Sequence, residues 1–182
     1  LTLEEPGVRL LYGQHVINAL QSLDAGSVHA VITSPPYWGG QRDYGAPPVV
    51  WTAPDQPCDH AWGEEGPPHH PGQVEQTRYS RSSAAGAGQS GTSGAFCGRC
   101  GAWRGHLGHE PTVGLYVEHL VQVFEGLRRV LRPDGTAWLV IGDNYVGQQQ
   151  ARQGLKVRDL ALVPHRVAIG LQAAGWWVRA DI

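Results

Sequence analysis

Apolar residues near the start of the chain form two continuous runs with a helical spacing between them. The first run covers residues 8–12 and the second covers residues 28–32, and each has the length of a strand. Val16, Leu20 and Leu23 lie between the runs at the spacing of one helical face. The second run is apolar almost throughout, which is typical of a strand buried in a parallel sheet. This region therefore predicts a strand, a helix and a buried strand.

The same periodicities return in the last third of the chain. Thr112 can cap a helix that follows it. The apolar positions of this helix lie at helical spacing and comprise Leu115, Leu120, Val123, Phe124, Leu127, Val130 and Leu131. Residues 132–135 read Arg-Pro-Asp-Gly, which predicts the end of the helix. A buried strand over 136–141, a helix over 160–171 and a further strand over 176–182 complete the order.

This alternation of strands and helices predicts an α/β fold in which helices cover a parallel sheet. Between the two periodic parts, Pro, Gly, Ser and His dominate and periodicity is lost. We therefore predict one domain built from residues 1–45 and 111–182, with residues 46–110 as an insertion. Within the insertion, residues 81–94 form a Ser/Gly/Ala tract that we expect to be mobile.

Length, composition and charge narrow the class of protein. The chain has 182 residues, 41% of them hydrophobic, which suits a soluble domain. Its apolar runs are too short to span a bilayer, so we expect no membrane association and a cytoplasmic location. The net charge of −2 excludes a global basic field of the kind that marks many nucleic-acid binders. Any nucleic-acid contact must therefore come from a local site.

Four segments of the chain resemble those of a known enzyme family. Residues 33–45 read TSPPYWGGQRDYG and follow the predicted buried strand. They are followed by residues 115–131 with RPDGT, by IGDNY at 141–145, and by residues 159–182. Together these segments resemble β-type site-specific DNA amino-methyltransferases, in which the catalytic motif precedes the cofactor motif.

The resemblance implies a Rossmann-like methyltransferase fold, here with a partial sheet, that uses S-adenosylmethionine on double-stranded DNA. The catalytic residues that it implies are Ser34, Pro35, Pro36 and Tyr37. In this family Ser at the first position favours cytosine N4 and Asp favours adenine N6, so we expect cytosine N4, with adenine N6 as the alternative. Such enzymes can act beside a restriction endonuclease, and the sequence leaves that partner open.

Elementary chemistry explains why a base amine needs these residues. An exocyclic amine is a poor nucleophile because its lone pair is conjugated into the ring, and two hydrogen-bond acceptors on its N–H groups favour a tetrahedral nitrogen. The acceptors implied by the motif are the Ser34 hydroxyl and the Pro35 carbonyl. The two prolines keep the loop rigid. Tyr37 offers a ring on which a flipped base can stack.

Further candidates for contacts with the base or the DNA are Trp38, Arg42, Tyr44 and Asp143. Trp38 and Tyr44 suit a base or DNA channel, although packing in the core or in a loop explains each equally well. Arg42 either contacts phosphate or pairs with the aspartate beside it. Asp143 follows a predicted strand, as the catalytic motif does, and the carboxyl ends of parallel strands share one edge of a sheet.

Two features of the family are absent from this sequence. It contains no Phe-x-Gly-x-Gly loop, the family's cofactor-binding segment, so the cofactor-binding residues are unassigned. Gln14 and His15 stand near Gly13, where the family often has an acidic residue. The chain also has no Met and ends in a strand-like run. We therefore expect a fragment that carries the target-base side of the enzyme and binds the cofactor weakly or not at all.

All three cysteines lie in the insertion with the spacing of a metal site. Cys58 and His60 form a CxH pair, and Cys97 and Cys100 form a CxxC pair. This Cys₃His set suits a closed tetrahedral zinc site, which would give shape to a segment without a core. Incidental reduced thiols are the alternative, and a disulfide is disfavoured in the cytoplasm. Other histidines that could supply the fourth ligand are His69, His70, His106 and His109.

Two further hypotheses belong to other classes of protein. The CxH and CxxC pairs also suit a zinc-stabilised module that binds nucleic acid without catalysis. A methyltransferase acting on RNA or on protein glutamine is the other hypothesis, since related Pro-Pro-Tyr loops act there. Those loops usually begin with Asn, and the Ser at position 34 disfavours this third reading.

Overall fold

The computed structural model describes residues 2–5, 8–39, 47–51, 57–63, 94–148 and 154–182. The order of its elements is β1 (Thr2–Glu5), β2 (Val8–Leu11), α1 (Val16–Gln21), β3 (Val28–Thr33), β4 (Val49–Trp51), β5 (Gly94–Phe96), β6 (Trp103–Gly105), α2 (Val113–Val130), β7 (Leu131–Leu139) and α3 (Val163–Ala173). The described residues thus have a mixed α/β architecture, as predicted.

The two strands that carry the predicted site, β3 and β7, pair in parallel. Residues 30–33 lie opposite residues 136–139, and the register shifts between Val28 and Ala30. This shift places residues 132–135 in a bulge, as expected where proline has no N–H to donate to the sheet. The predicted turn at these residues is therefore a bulge inside the strand, which begins at Leu131 rather than at residue 136.

Helix α2 forms the centre of the core. Thr112 caps it as predicted, because the Leu115 N–H donates to Thr112 Oγ1 at 3.1 Å. Its buried side chains recur at helical spacing and comprise Val113, Tyr116, His119, Leu120, Val123, Phe124, Leu127 and Val130. Helices α1 and α3 and strand β7 contact α2. The close approach of α3 requires Gly170, where a Cβ would lie 2.7 Å from Val117 Cγ1.

The segment 46–110, predicted from the sequence to be an insertion and called the insertion below, contains regular structure that its sequence pattern did not predict. Strands β4, β6 and β5 form an antiparallel sheet in that order. Trp51 and Trp103 lie opposite each other in this sheet, and both are buried. Of the tract predicted to be mobile, residues 81–93 lie outside the described residues, whereas Gly94 begins β5. The expectation of mobility is thus wrong for Gly94.

Two expectations about the sheet are wrong. Residues 176–182 form no strand in the described part of the chain, and the Trp177 side chain is 83% exposed. Strand β2 pairs with β1 in an antiparallel hairpin instead of joining a parallel sheet. An apolar run becomes a strand of a given sheet only where a neighbouring strand offers backbone partners. Among the described residues, parallel pairing is limited to β3 and β7.

None of the described helices combines the length and the apolar character that crossing a bilayer needs.

Candidate functional site

The predicted catalytic residues form the loop at the carboxyl end of β3. Ser34 is exposed, whereas Pro35, Pro36 and Tyr37 are half-buried. Ser34 Oγ and Tyr37 Oη lie 3.3 Å apart, so one hydroxyl donates to the other. The residue before a proline favours extended backbone, which carries the chain away from the sheet at this point. The Ser34 hydroxyl is therefore available to a ligand at a strand end.

The same loop is bonded to the interior of the protein on its other side. Tyr116 Oη on α2 donates to the Pro36 carbonyl at 3.0 Å. Burial, together with nearby Glu110 and Tyr37, raises the pKa of Tyr116, so its hydroxyl keeps the proton that it donates. The indole N–H of Trp38 donates to the Glu110 carbonyl at 3.0 Å. These bonds fix the loop backbone without using the Ser34 hydroxyl.

Two glycines bring other backbone segments against the loop. Gly108 has a φ of +92°, and a Cβ there would lie 2.7 Å from the Tyr37 carbonyl oxygen. Its own carbonyl accepts the Gly39 N–H at 3.0 Å. Gly142, in the loop after β7, lies so close to the Tyr37 ring that a Cβ would be 2.9 Å from Tyr37 Cε2. Three loops therefore meet at Tyr37.

The other residues predicted to contact the base or the DNA have different surroundings. Trp38 is only 2% exposed, which favours the packing role over the channel role. Arg42 and Tyr44 lie outside the described residues. Asp143 is half-buried, and its Oδ1 accepts the N–H of Val163, the first residue of α3, at 3.1 Å. Asp143 therefore connects the loop after β7 to α3, a structural use that the sequence did not predict.

Sequence reasoning missed a buried pair, Glu110 and His119, behind the catalytic loop. Both side chains are fully buried, and His119 Nδ1 lies 3.0 Å from Glu110 Oε1. Burial raises the pKa of Glu110, and the hydrogen bond with His119 opposes that rise. His119 occupies the buried stripe of α2 between Tyr116 and Val123. A histidine within an apolar stripe was the signal that the sequence offered.

The predicted metal ligands come together in the insertion. One ligand atom from each of Cys58, His60, Cys97 and Cys100 lies within 4.8 Å of the others. Cys100 Sγ is 3.3 Å from His60 Nδ1, and Cys58 Sγ is 4.0 Å from Cys97 Sγ. Ligands placed about 2.0–2.3 Å from a tetrahedral zinc ion would be about 3.3–3.8 Å apart. The donor set therefore fits zinc after small adjustments.

The CxxC pair lies in the turn that joins β5 to β6. The Cys97 N–H donates to the Ala102 carbonyl at 2.8 Å, and the Arg99 N–H donates to Cys97 Sγ at 3.4 Å. Gly101 completes the turn with a φ of +75°. A redox-active CxxC usually lies at a helix N-terminus, whereas this turn leads into the strand Trp103–Gly105.

The pKa values of two of the cysteines, Cys97 and Cys58, are shifted by their neighbours in the cluster. Burial alone would raise the pKa of Cys97, but the backbone of Cys100, the His60 side chain and the Arg99 N–H lower it to about 5. Burial and the neighbouring Cys100 and Cys97 raise the pKa of Cys58 to about 11. Thiols this close disfavour each other's ionisation, and a bound metal ion would favour the thiolate form of each.

Comparison with known proteins gives a consistent family. A family model described as DNA methylase, that of N6 and N4 methyltransferases, matches residues 28–182. Type II methyltransferase M.SfiI from Streptomyces fimbriatus is 50% identical over 80 residues, which cover 40% of this chain and 19% of that protein. M.SmaI from Serratia marcescens is 28% identical over 183 residues, covering 90% of this chain and 43% of that protein. M.Cfr9I from Citrobacter freundii is 28% identical over 199 residues, covering 99% and 47%.

The chain spans less than half the length of these curated relatives. No solved structure is significantly similar to it. The match over 28–182 includes β3 with its Ser-Pro-Pro-Tyr loop, helix α2, the loop after β7 and helix α3. The chain therefore belongs to the DNA methylase family of N6 and N4 amino-methyltransferases.

Proposed function

We propose that the protein carrying this chain methylates the exocyclic amine of a flipped base in double-stranded DNA, with cytosine N4 as the acceptor. The observation that carries the proposal is an exposed Ser34 hydroxyl on a loop whose Pro36 carbonyl and Trp38 indole are bonded to the protein interior. Ser rather than Asp at position 34 supports cytosine, and adenine N6 is the alternative.

In the proposed reaction the chain holds the two acceptors and the base. Ser34 Oγ accepts a hydrogen bond from one N–H of the amine, and the Pro35 carbonyl accepts one from the other. Tyr37 stacks on the flipped base, while its hydroxyl, 3.3 Å from Ser34 Oγ, orients the serine. Because Tyr116 already fixes the Pro36 carbonyl, little reorganisation is needed when the base arrives.

S-adenosylmethionine, the methyl donor that this family implies, would supply the electrophilic methyl group. The Phe-x-Gly-x-Gly loop with which the family binds it is absent from this sequence. The glycine turn after β7 does not replace that loop, since the Tyr37 ring lies against Gly142. No residue of the chain is therefore assigned to the cofactor.

Replacing Ser34 tests the proposed function in the full-length protein. In Ser34→Ala we expect methyl transfer to DNA to fall by roughly 100-fold or more, because one preorganised acceptor is lost. Ser27→Ala is the matched control, since Ser27 Oγ is exposed and donates only to the nearby Asp24 carbonyl. Undiminished transfer by Ser34→Ala would contradict the proposal.

The metal-ligand cluster favours a second candidate function, a zinc-stabilised nucleic-acid-binding module without catalysis. This function predicts that the full-length wild-type protein binds DNA. It also predicts that the protein transfers no methyl group to any DNA sequence tested. Detectable transfer that depends on Ser34 would exclude it.

We also propose that Cys58, His60, Cys97 and Cys100 bind one structural zinc ion. The convergence of their ligand atoms within 4.8 Å supports this, as does the turn that directs both CxxC sulfurs to one side. Zinc would hold the β5–β6 turn against residues 58–63, which also meet it at the Trp62–Cys97 bridge.

Metal analysis of the purified protein tests the zinc proposal. We expect about one zinc per chain in the wild type, and little in Cys97→Ser and His60→Asn, since a closed site needs all four ligands. His165→Asn is the matched control, because His165 is exposed on α3. Cobalt in place of zinc should give the absorption of a tetrahedral thiolate site. Absence of metal after expression with zinc would contradict the proposal.

A further inference from the structure

Glu110 and His119 form a buried polar pair to which the proposed reaction assigns no role. A buried carboxylate is costly unless its oxygens are bonded, and apolar residues of similar size often serve a core as well. Here both oxygens are bonded: Oε1 lies 3.0 Å from His119 Nδ1, and Oε2 accepts the Gly108 N–H at 2.7 Å. The carboxylate therefore joins helix α2 to the turn at Gly108.

That turn is in direct contact with the catalytic loop. The Gly108 carbonyl accepts the Gly39 N–H at 3.0 Å, and its Cα lies against the Tyr37 carbonyl. The Glu110 carbonyl accepts the Trp38 indole N–H at 3.0 Å. Three consecutive loop residues, 37–39, thus contact the short segment whose shape the Glu110 carboxylate fixes.

At its other end the pair contacts the sheet of the insertion. The His119 imidazole stacks with Trp51 and with Trp103, with ring centroids 4.8 Å and 5.3 Å apart. These two tryptophans are partners across β4 and β6. Strand β6 begins at Trp103, shortly after the metal-ligand candidate Cys100. Direct contacts therefore lead from the insertion through His119 and Glu110 to the catalytic loop.

We infer that Glu110 and His119 are positioning residues, which hold the Gly108 turn and thereby set the position of residues 34–37 relative to the target base. The inference rests on the proposed function, since it assigns a role within that reaction. Neither side chain touches the base. Because a displacement of about 1 Å at reacting groups can cost roughly 100-fold in rate, the effect should appear in the chemical step.

Single-turnover methyl transfer, with full-length enzyme in excess over DNA, tests this role. The rate constant at saturation does not depend on how much of the enzyme is folded. Glu110→Ala should lower this rate constant roughly 10- to 100-fold. The apparent affinities for DNA and for the methyl donor should stay within about threefold of the wild-type values. Glu110→Gln can keep both hydrogen bonds and should restore the rate to within about threefold.

Glu118→Ala is the matched control, because Glu118 is an exposed glutamate on α2, next to His119 in the sequence. Equal rates for Glu110→Ala and Glu118→Ala would overturn the inference. Equal losses in Glu110→Ala and Glu110→Gln would also overturn it, since the two hydrogen bonds would then not be the cause. A loss confined to the affinity for DNA would overturn it as well.

Two substitutions of His119 test the same hydrogen bond from the histidine side. They remain informative even where the Glu110→Ala protein does not fold. His119→Asn retains a group near Nδ1 for Glu110 but loses the ring, whereas His119→Phe retains the ring and loses the hydrogen bond. We expect His119→Phe to be roughly tenfold slower than His119→Asn. The opposite order would overturn the inference.

Ser34→Ala in the same assay separates this inference from the proposed function. Loss of methyl transfer in Ser34→Ala, together with wild-type rates in the Glu110 variants and in the His119 variants, would overturn the positioning role alone. Undiminished transfer in Ser34→Ala would overturn the proposed function, and the positioning role with it.

Discussion

The loop at residues 34–39, which carries the predicted catalytic residues 34–37, and the metal-ligand cluster are both irregular in backbone, yet different forces shape them. Protein groups bond the loop from several sides, among them the Tyr116 hydroxyl, the Glu110 carbonyl and the Gly108 carbonyl. In the cluster, four ligand atoms converge within 4.8 Å, and backbone hydrogen bonds such as that from the Gly98 N–H to the Ala61 carbonyl join the CxxC turn to residues 58–63. Buried contacts with the protein interior therefore define the first region, and we propose that a metal ion completes the second.

This contrast explains why the two regions should respond differently to the same kind of change. A loop shaped by packing is sensitive to the loss of single buried contacts. A cluster shaped by an ion tolerates the loss of a peripheral hydrogen bond but not the loss of a ligand. Three substitutions and the removal of metal should therefore lower methyl transfer to different extents.

Gly108→Ala should have the largest effect. Gly108 has a φ of +92°, and a Cβ there would lie 2.7 Å from the Tyr37 carbonyl oxygen, so the loop must move. We expect the single-turnover rate to fall roughly 100-fold, with zinc content unchanged. Gly114→Ala is the control, since its Cβ would meet nothing closer than Thr112 Oγ1 at 3.8 Å. Equal rates for both variants would contradict the account of the loop.

Tyr116→Phe should have a smaller effect on the same loop. It removes the hydroxyl that donates to the Pro36 carbonyl at 3.0 Å and leaves that carbonyl without this bond. The loss of one such bond costs about 1–3 kcal/mol. A rise of about 1.4 kcal/mol in the barrier, within that range, lowers the rate roughly tenfold, which is the effect that we expect. Tyr145→Phe is the matched control, because the Tyr145 side chain is 71% exposed. A rate equal to that of the control would show that this bond does not shape the site.

Removal of the metal should first loosen the structure of the insertion. It should lower the rate of methyl transfer only indirectly, through the contacts of His119 with Trp51 and Trp103. After chelation we expect hydrogen exchange to become fast at residues 94–105 and to change more slowly at residues 28–33. The rate of methyl transfer should fall roughly fivefold. Restored zinc should reverse both effects. Simultaneous loss of protection in both segments would contradict the proposed difference between packing and metal, and unchanged protection in the insertion would contradict a structural metal.

Arg99→Ala should have the smallest effect. Arg99 Nη1 donates to the Asp59 carbonyl at 2.8 Å beside the cluster, but the side chain is exposed. An exposed polar contact contributes about 0.5 kcal/mol or less, so zinc content and methyl transfer should match the wild type. Zinc loss comparable to that of Cys97→Ser would show that local side-chain bonds, rather than the ion, hold the cluster together.

Local signals predicted the parts of the molecule that depend on neighbouring residues. The Thr112 cap, the apolar stripe of α2 and the strand before Ser34 are all present. Within the CxH pair and within the CxxC pair, short spacing limits how far the ligand atoms can separate, whereas the meeting of the two pairs depends on a contact between distant residues. The catalytic loop at Ser34–Tyr37 was placed at a strand end on the same basis, and its role there stays a prediction.

Contacts between distant residues account for what the sequence did not predict. The sheet of the insertion depends on Trp51 and Trp103 meeting across two short strands, and neither strand is long enough to show a periodicity. The link between Glu110 and Gly108 appears only once the chain turns at that glycine. The apolar run at residues 176–182 shows the reverse case, since a strand-like pattern has no pairing partner in the described structure.

Identification of the methylated nucleoside tests both the choice of cytosine N4 and the role of Ser34. Full-length wild-type protein, Ser34→Ala and Ser27→Ala would each be given DNA and a labelled methyl donor, and the DNA would be digested to nucleosides for mass spectrometry. We predict labelled N4-methylcytosine with the wild type and Ser27→Ala, and none with Ser34→Ala. N6-methyladenine as the product would contradict the choice of cytosine, and label at equal levels with Ser34→Ala would contradict the role of the catalytic loop.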